Sequence, residues 1–400
     1  MTTIVTRAGK GSPLSWAEGD ANFNNLNNDK LETTNNLSDV SNVATARTNL
    51  GLAIGTNVQA YNANLTTIAN SITAAGLAIL DDFDASTQRA TLGLSYITNR
   101  NVLINGNFKI DQRNAGAAQT ITAGAALAYT LDRWYAYCTG ANVTTQQIAS
   151  SGENRLRFTG LASNTAVGLG QRIEDVNCMD LAGNTATLSC KLSSTSLTSI
   201  TWTAYYANTA DTFGTLASPT KTQIATGTFT ITSTEATYST NISIPAPATT
   251  GIEIVFTGGA LLGTQTLTIG DVQLEKGSVR TEFEVRPYGL ELALCQRYYA
   301  KTFDNQTAPA QNAGSTNAIR AMATVTAQPI FSNWSLPETM RAAPTVTTYN
   351  PYTTNANWSA NPSSPTVELF VGTVVITITG YTNTSAGNGY LIHATASAEL

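Results

Sequence analysis

The chain has 400 residues, a formal charge of −5 and only 12% charged residues, about half the share usual for soluble proteins. Its 42% hydrophobic content excludes wholesale disorder, and its length leaves room for two or three domains with cores of their own. With 21 Lys plus Arg against 26 Asp plus Glu, it offers no field to steer it towards nucleic acid.

Residues 1–30 read as a short attachment segment. Ser15 and Glu18 have capping-box spacing, and Trp16, Phe23 and Leu26 form an apolar stripe too small for a domain and suited to docking on another protein. GKGS (9–12) lacks the upstream glycine and strand of a phosphate-binding loop and reads as surface.

Residues 31–99 contain a duplication, LSDVSNVATARTNLGL (37–52) echoed by LDDFDASTQRATLGL (80–94). Each copy predicts a short helix, N-capped by Ser41 or Asp84, with Gly51 or Gly93 left-handed at its end and Leu52 or Leu94 closing it. Between them Val58, Tyr61, Leu65, Ile68, Ile72, Ala75 and Ile79 recur at three- and four-residue spacings, with Gly76 expected to break the last turn. Two arrangements fit, a helix lying on its own domain or a parallel bundle between identical chains. The bundle, with Val58, Tyr61, Leu65, Ile68, Ile72 and Ile79 at its interface, is the expectation because this region offers no other large core.

From residue 100 the pattern changes to period two. ITWTAYY (200–206), TGTFTIT (226–232), GIEIVF (251–256) and TLTIGDVQL (266–274) alternate between turn residues, which predicts an antiparallel sandwich over 100–288. RPYGLELALCQRYY (286–299) predicts one or two helical turns. A distal β domain, 289–400, follows with AMATVTA (321–327), TVELFVG (366–372), TVVITIT (373–379) and YLIHATASAEL (390–400). The fold class is therefore mainly β: a short helical stalk, a jelly-roll-like sandwich and a distal β domain.

These segments, in this order, resemble phage tail-fibre and tail-collar proteins. TRAGKGSPLSWAEGDANFNNLN (6–27) looks like their virion-attachment end, and the ATARTNLGL and QRATLGL units with VQAYNANLTTIA (58–69) look like the tail-fibre repeat. NVLINGNFKIDQRNAG (101–116) with LDRWYAY (131–137) is similar to the opening of their carbohydrate-binding-like sandwich. DVQLEKGSVRTEFEVRPYGLELALCQRYY (271–299) is similar to its exit, and MRAAPTVT (340–347) with HATASAEL (393–400) to the terminal domain. The resemblance implies a homotrimeric virion protein, assembled in the host cytoplasm and acting at the host cell surface. It would be held by its N-terminus on a tail, adaptor or baseplate protein, with its C-terminal half on host polysaccharide or lipopolysaccharide.

Chemistry has few parts to use. The single histidine, His393, lies on an alternating strand and reads as a packed side chain, so zinc sites, Ser-His-Asp triads and Cys-His nucleophiles lack their members. Cys138, Cys178, Cys190 and Cys295 show no CxxC or metal spacing and read as free buried thiols. The N-terminus has no apolar signal core and the chain no run of 18 apolar residues, so membrane insertion is not expected and exit would be by lysis. Of the carboxylate pairs, Glu174 with Asp175 point to opposite faces of a strand. Asp271 with Glu275 lie at a strand end and read as turn caps or partners of Arg280 or Arg286, and Glu282 with Glu284 is a further candidate pair. No coil periodicity of a parallel β-helix is present, so no enzyme is expected. No cofactor is implied, and a structural calcium is left open.

Sugar binding needs exposed rings with amides and carboxylates around them. Trp202 and Tyr206 share one face of their strand and Tyr205 takes the other, while Trp134 in DRW reads as core. The candidate carbohydrate-binding rings are Trp202, Tyr205, Trp334, Tyr349, Tyr352, Trp358 and Tyr381, the last five being read as loop-borne in the distal region. Two other roles stay open: an architectural adaptor or collar spike, and a polysaccharide depolymerase.

Overall fold

The computed structural model describes residues 4–29, 40, 42–52, 62–82, 87–88, 91–92, 99–124, 126–150, 152–359, 365–381 and 384–400. The chain divides into two compact units, Met1–Asp81 and Asp82–Leu400.

The first unit is helical. α1 (Arg7–Lys10) is capped by Thr6 and ends at left-handed Gly11. At the start of α2 (Trp16–Asp29) the expected capping box forms: the Glu18 amide donates to Ser15 Oγ at 3.2 Å and the Ser15 amide to Glu18 Oε2 at 2.8 Å. Lys10 also pairs with Glu18, and these bonds hold its carboxyl down at about 2. α3 (Val43–Asn49) has its C-terminus as read: the Leu52 amide donates to Arg47 O and the Gly51 amide to Thr48 O, the paired bonds of a Schellman motif. Its cap is Asn42, accepting from the Thr45 amide, rather than Ser41. Ser41, Asp84, Gly93 and Leu94 lie outside the described residues, as do Val58 and Tyr61 of the heptad pattern.

The rest of that pattern is two helices, not one: α4 (Ala63–Ser71) and α5 (Ala74–Leu80). The break falls at Ile72 and Thr73, not at Gly76, which sits inside α5. Ile72 turns extended, and the Thr73 hydroxyl accepts from the Gly76 amide at 3.2 Å. A run of Asn and Thr with weak helix propensity yields to a local cap. Leu65, Ile68, Leu77 and Leu80 are exposed, and Ile72 and Ile79 half-buried.

The second unit opens with the sandwich. One sheet has the order β1 (Gln119–Ile121), β4 (Val143–Ser150), β5 (Glu153–Thr159), β12 (Thr266–Lys276), β7 (Thr185–Ser194) and β10 (Ala236–Ser243). The other has β2 (Ala128–Leu131), β3 (Trp134–Thr139), β6 (Ala166–Ile173), β11 (Ile252–Gly258), β8 (Ser199–Ala207) and β9 (Lys221–Thr230). Alternate residues of both sheets fill the core between them, among them Trp134, Phe158, Leu188, Trp202, Ile254 and Phe256. The short α6 (Asp175–Cys178) follows β6.

α7 (Tyr288–Gln296) then leads to the distal strands. β19 (Gly389–Ser397) pairs with β13 (Tyr299–Lys301), β14 (Ile319–Met322) and β16 (Thr345–Tyr349). β18 (Val375–Tyr381) lies between β15 (Ile330–Ser335) and β17 (Thr366–Val371). The strand expected over 321–327 stops at Met322, and its remainder is turn. The distal sheets share a core of Trp334, Trp358, Ile376, Ile378, Tyr390 and Ile392.

The expected division at 288/289 is bridged by structure. Ile104, Ile110, Cys295 and Tyr298 make an apolar patch, and Arg113 and Arg133 of the sandwich both bind the Glu399 carboxylate. Arg172 Nη1 and the Tyr129 hydroxyl donate to Leu400 O at 2.7 and 2.9 Å. Glu174 is bound by Arg297 at 3.0 Å across the same junction. His393 is buried as read: Nδ1 meets Thr302 Oγ1 at 2.8 Å, and the ring stacks on Phe303 at 4.0 Å. All four cysteines are free and buried, also as read.

Candidate functional site: an aromatic face of the sandwich

With Trp134, Ala136 and Cys138 of β3 turned into the core, Tyr135 and Tyr137 point out of the second sheet. They pair in register with Gly170 and Gly168 of β6. A Cβ at Gly168 would lie 2.1 Å from Tyr137 Cζ, and one at Gly170 2.2 Å from the Tyr135 hydroxyl. The two glycines thus let both rings lie directly on the strand backbone. Two strands further along, Trp202 and Ala204 of β8 face inward and Tyr205 faces outward, as the alternation requires.

These rings line a cleft of about 200 Å³, with Thr203, Val255 and Thr257 between them and Leu216, Pro219 and Lys221 along one side. Tyr135 and Lys221 of the lining are tied to a charged network around Glu253, which is fully buried. Glu253 Oε1 accepts from the Tyr135 hydroxyl and from Arg172 Nε, each at 2.8 Å, and Oε2 pairs with Lys221. Arg172 is also held by Gly214 O at 3.0 Å and lies 5.2 Å from the Phe213 ring centroid, which ties the 208–220 loop to the sheet. Lys221 Nζ stands 4.3 Å over the Tyr205 ring. Burial, and then the adjacent Glu253, push the Tyr135 hydroxyl well above its ordinary range, so it stays a proton donor. Tyr137 and Tyr205 remain half-exposed. The cleft can therefore stack a ring-shaped ligand on two tyrosines and hydrogen-bond it through Lys221 and the threonines.

Of the expected rings, Tyr205 alone is in this cleft. Trp202 is core, packed 6.4 Å from Phe229. Trp334 and Trp358 are corrections. Trp334 lies on β15 and is buried, and Trp358 is 0% exposed, with Nε1 donating to Thr379 O at 3.0 Å. A Cβ on Gly380 would come within 2.9 Å of the Trp358 ring, so that glycine opens the slot it fills. Tyr349 sits on β16, edge-on to Phe303 at 5.4 Å, and Tyr381 ends β18, so neither is loop-borne. Tyr352 and Tyr381 are exposed but lie outside this cleft. Tyr135 and Tyr137 are not among the expected rings, because their seat on Gly170 and Gly168 depends on the pairing of β3 with β6.

Four carboxylates of the expected acidic pairs have structural partners. Glu275 accepts from the Thr281 amide and hydroxyl, Glu284 from the Asn101 amide, and Glu174 from Arg297. Asp271 pairs with Arg155 at 3.1 Å and Lys191 at 2.8 Å rather than with Arg280 or Arg286.

No family model and no curated protein matches the chain. Solved structures with partial similarity include a CBM4 structure, 16% identical over 43% of this chain and 98% of that one, TM-score 0.27. Others are the enzymatically active domain of bacteriophage CBA120 tailspike protein 4 (15%, 44% and 21%, TM-score 0.30) and a putative sugar-binding protein from Bacteroides thetaiotaomicron (13%, 44% and 100%, TM-score 0.29).

Proposed function

We propose that the chain is a bacteriophage tail-fibre component that binds host-surface glycan, without cleaving it, through the cleft between Tyr137 and Tyr205. The observation that carries this reading is the aromatic face itself. Two half-exposed rings flank hydroxyls and an ammonium, and a buried carboxylate, Glu253, holds Tyr135 and Lys221 in place. Sugar C–H faces stack on the rings, while Lys221, Thr203 and Thr257 exchange hydrogen bonds with ring hydroxyls. A small, open cleft of this kind gives weak individual contacts, of order millimolar, which several copies per particle turn into firm adhesion.

Exposed Trp16 (93%), Phe23 and Leu26 on α2 support docking of the N-terminal segment on a tail, adaptor or baseplate protein. Exposed Leu65 and Ile68 on α4 support packing against further copies of the chain, a homotrimer in this reading. Assembly in the host cytoplasm accords with four free thiols.

The test is adsorption competition with the full chain, fluorescently labelled, on permissive cells. Saturable labelling that blocks phage adsorption, is lost in Tyr205→Ala and shortens no glycan is expected. Labelling unaffected by Tyr205→Ala and Tyr137→Ala would overturn the assigned site, and no labelling at all would leave the architectural adaptor in front. Glycan shortened on incubation would favour the depolymerase.

A further inference from the structure

A second, larger cleft of about 550 Å³ lies on the outer face of the other sheet. It faces away from the tyrosine cleft, because the two sheets turn their inner faces to a common core. Its floor comes from outward residues of β7 and β12, Ser189, Lys191 and Asp271, and one wall from the segment 280–285 that follows β12. Asp271 is placed there by the bulge between Gly270 and Gln273, which holds it at φ 46° and turns its carboxylate up to the cleft.

Arg155 lies flat beneath, over Gly270, where a Cβ would sit 2.1 Å from its Cδ. Its guanidinium, 1% exposed, is shared by Glu153, Glu235 at 2.9 Å and Asp271 at 3.1 Å, and Lys191 joins Asp271 to Glu153. The floor is thus rigid and its charges mutually satisfied. The rim adds Lys109, Arg280 and Glu282, the amide of Asn154, and the ring of Phe283. The Asn107 side-chain oxygen in the wall is shielded from solvent with no hydrogen-bond partner.

We infer that this cleft is a second glycan site, taking a short neutral oligosaccharide on the face opposite the tyrosine cleft. Size, charge balance and donor set decide the ligand class. The volume falls in the range of ligand clefts, ~300–1,000 Å³. Three cationic lining residues, Lys109, Lys191 and Arg280, face three anionic ones, Glu153, Asp271 and Glu282, so neither a polyanion nor a cation has a net field to enter. A polyol can accept from Lys and Arg and donate to Glu and Asp, with Phe283 and Val285 left for its C–H face. Two sites on opposite faces would let one sandwich engage two glycan strands, or two stretches of one.

The inference shares its ligand class with the function proposed above but rests on a different face. It is tested by affinity electrophoresis of the full chain in gels containing soluble neutral galactan, glucan or mannan. Phe283→Ala removes the stacking ring, and Thr237→Trp fills the cleft from an exposed lining position, so two unrelated changes report on it. Against a retarding polymer, each is expected to weaken retardation about tenfold, as is Tyr205→Ala, and Phe283→Ala with Tyr205→Ala to abolish it. Retardation lost in Tyr205→Ala and unchanged in both Phe283→Ala and Thr237→Trp overturns the second site alone. The converse pattern upholds it and overturns the tyrosine cleft. No retardation by any of the three polymers overturns both.

Discussion

Replacing Glu399 by alanine tests the joint between the sandwich and the distal strands. Among the described residues, Glu399 is the only carboxylate within 4.0 Å of Arg113 or Arg133. Their side chains are 15% and 1% exposed. Breaking a buried pair by removing one partner costs about 3–5 kcal/mol, because the other charge stays buried. Arg133 carries most of that cost here, since Arg113 keeps enough exposure to be hydrated. Arg133 retains a bond to Arg172 O and a ring face on Tyr298 at 3.4 Å, which offsets about 1 kcal/mol. The expected loss for Glu399→Ala is therefore about 2–4 kcal/mol, and about half that for Glu399→Gln, which keeps an acceptor but not the charge. Guanidinium unfolding of the full chain, followed by tryptophan emission, reads it directly, because Trp134, Trp202, Trp334 and Trp358 all start buried. A loss below about 1 kcal/mol, or equal losses for Ala and Gln, would refute the assignment of a charge-dependent clamp.

Gly168→Ala should push the Tyr137 ring off β6, lowering both the melting temperature and glycan retardation; unchanged retardation would show that the ring's seat does not matter. Thr73→Ala should cost α5 about 1 kcal/mol of local stability, seen as faster hydrogen exchange at the Gly76 amide, and an unchanged rate would deny the cap its role. Burial pushes the Asp132 carboxyl up to about 6, above its ordinary 3.8. An acid raised on folding contributes stability below its unfolded value, and that contribution is lost as pH rises through about 6. The melting temperature of Asp132→Asn relative to the parent should therefore rise from pH 5 to pH 7, and a flat or opposite trend would contradict it.

The strands of the sandwich were readable because one face of each is buried, so ITWTAYY carries its own inside and outside. The capping box of Ser15 and Glu18 and the close of α3 at Gly51 were readable because their partners are a few residues away. Among what failed, the placing of the aromatic rings was decided at long range. Trp358 sits among Asn, Pro and Ser and looks exposed, yet Gly380, distant in sequence, makes the slot that buries it. Tyr135 and Tyr137 become a platform only once β3 is known to pair with β6 so that glycines face them. The helix through 58–79 was drawn from its apolar spacing, and the Thr73 cap within the same window outweighed that spacing.

The four free cysteines give the molecule its own clock for unfolding. Cys138, Cys178 and Cys190 belong to the sandwich core, whereas Cys295 belongs to the patch where α7 meets the sandwich. A thiol reagent reaches each of them only when the surrounding structure opens. The order in which they are labelled would show whether the joint parts before the sandwich gives way or both open as one cooperative event, with no cysteine introduced.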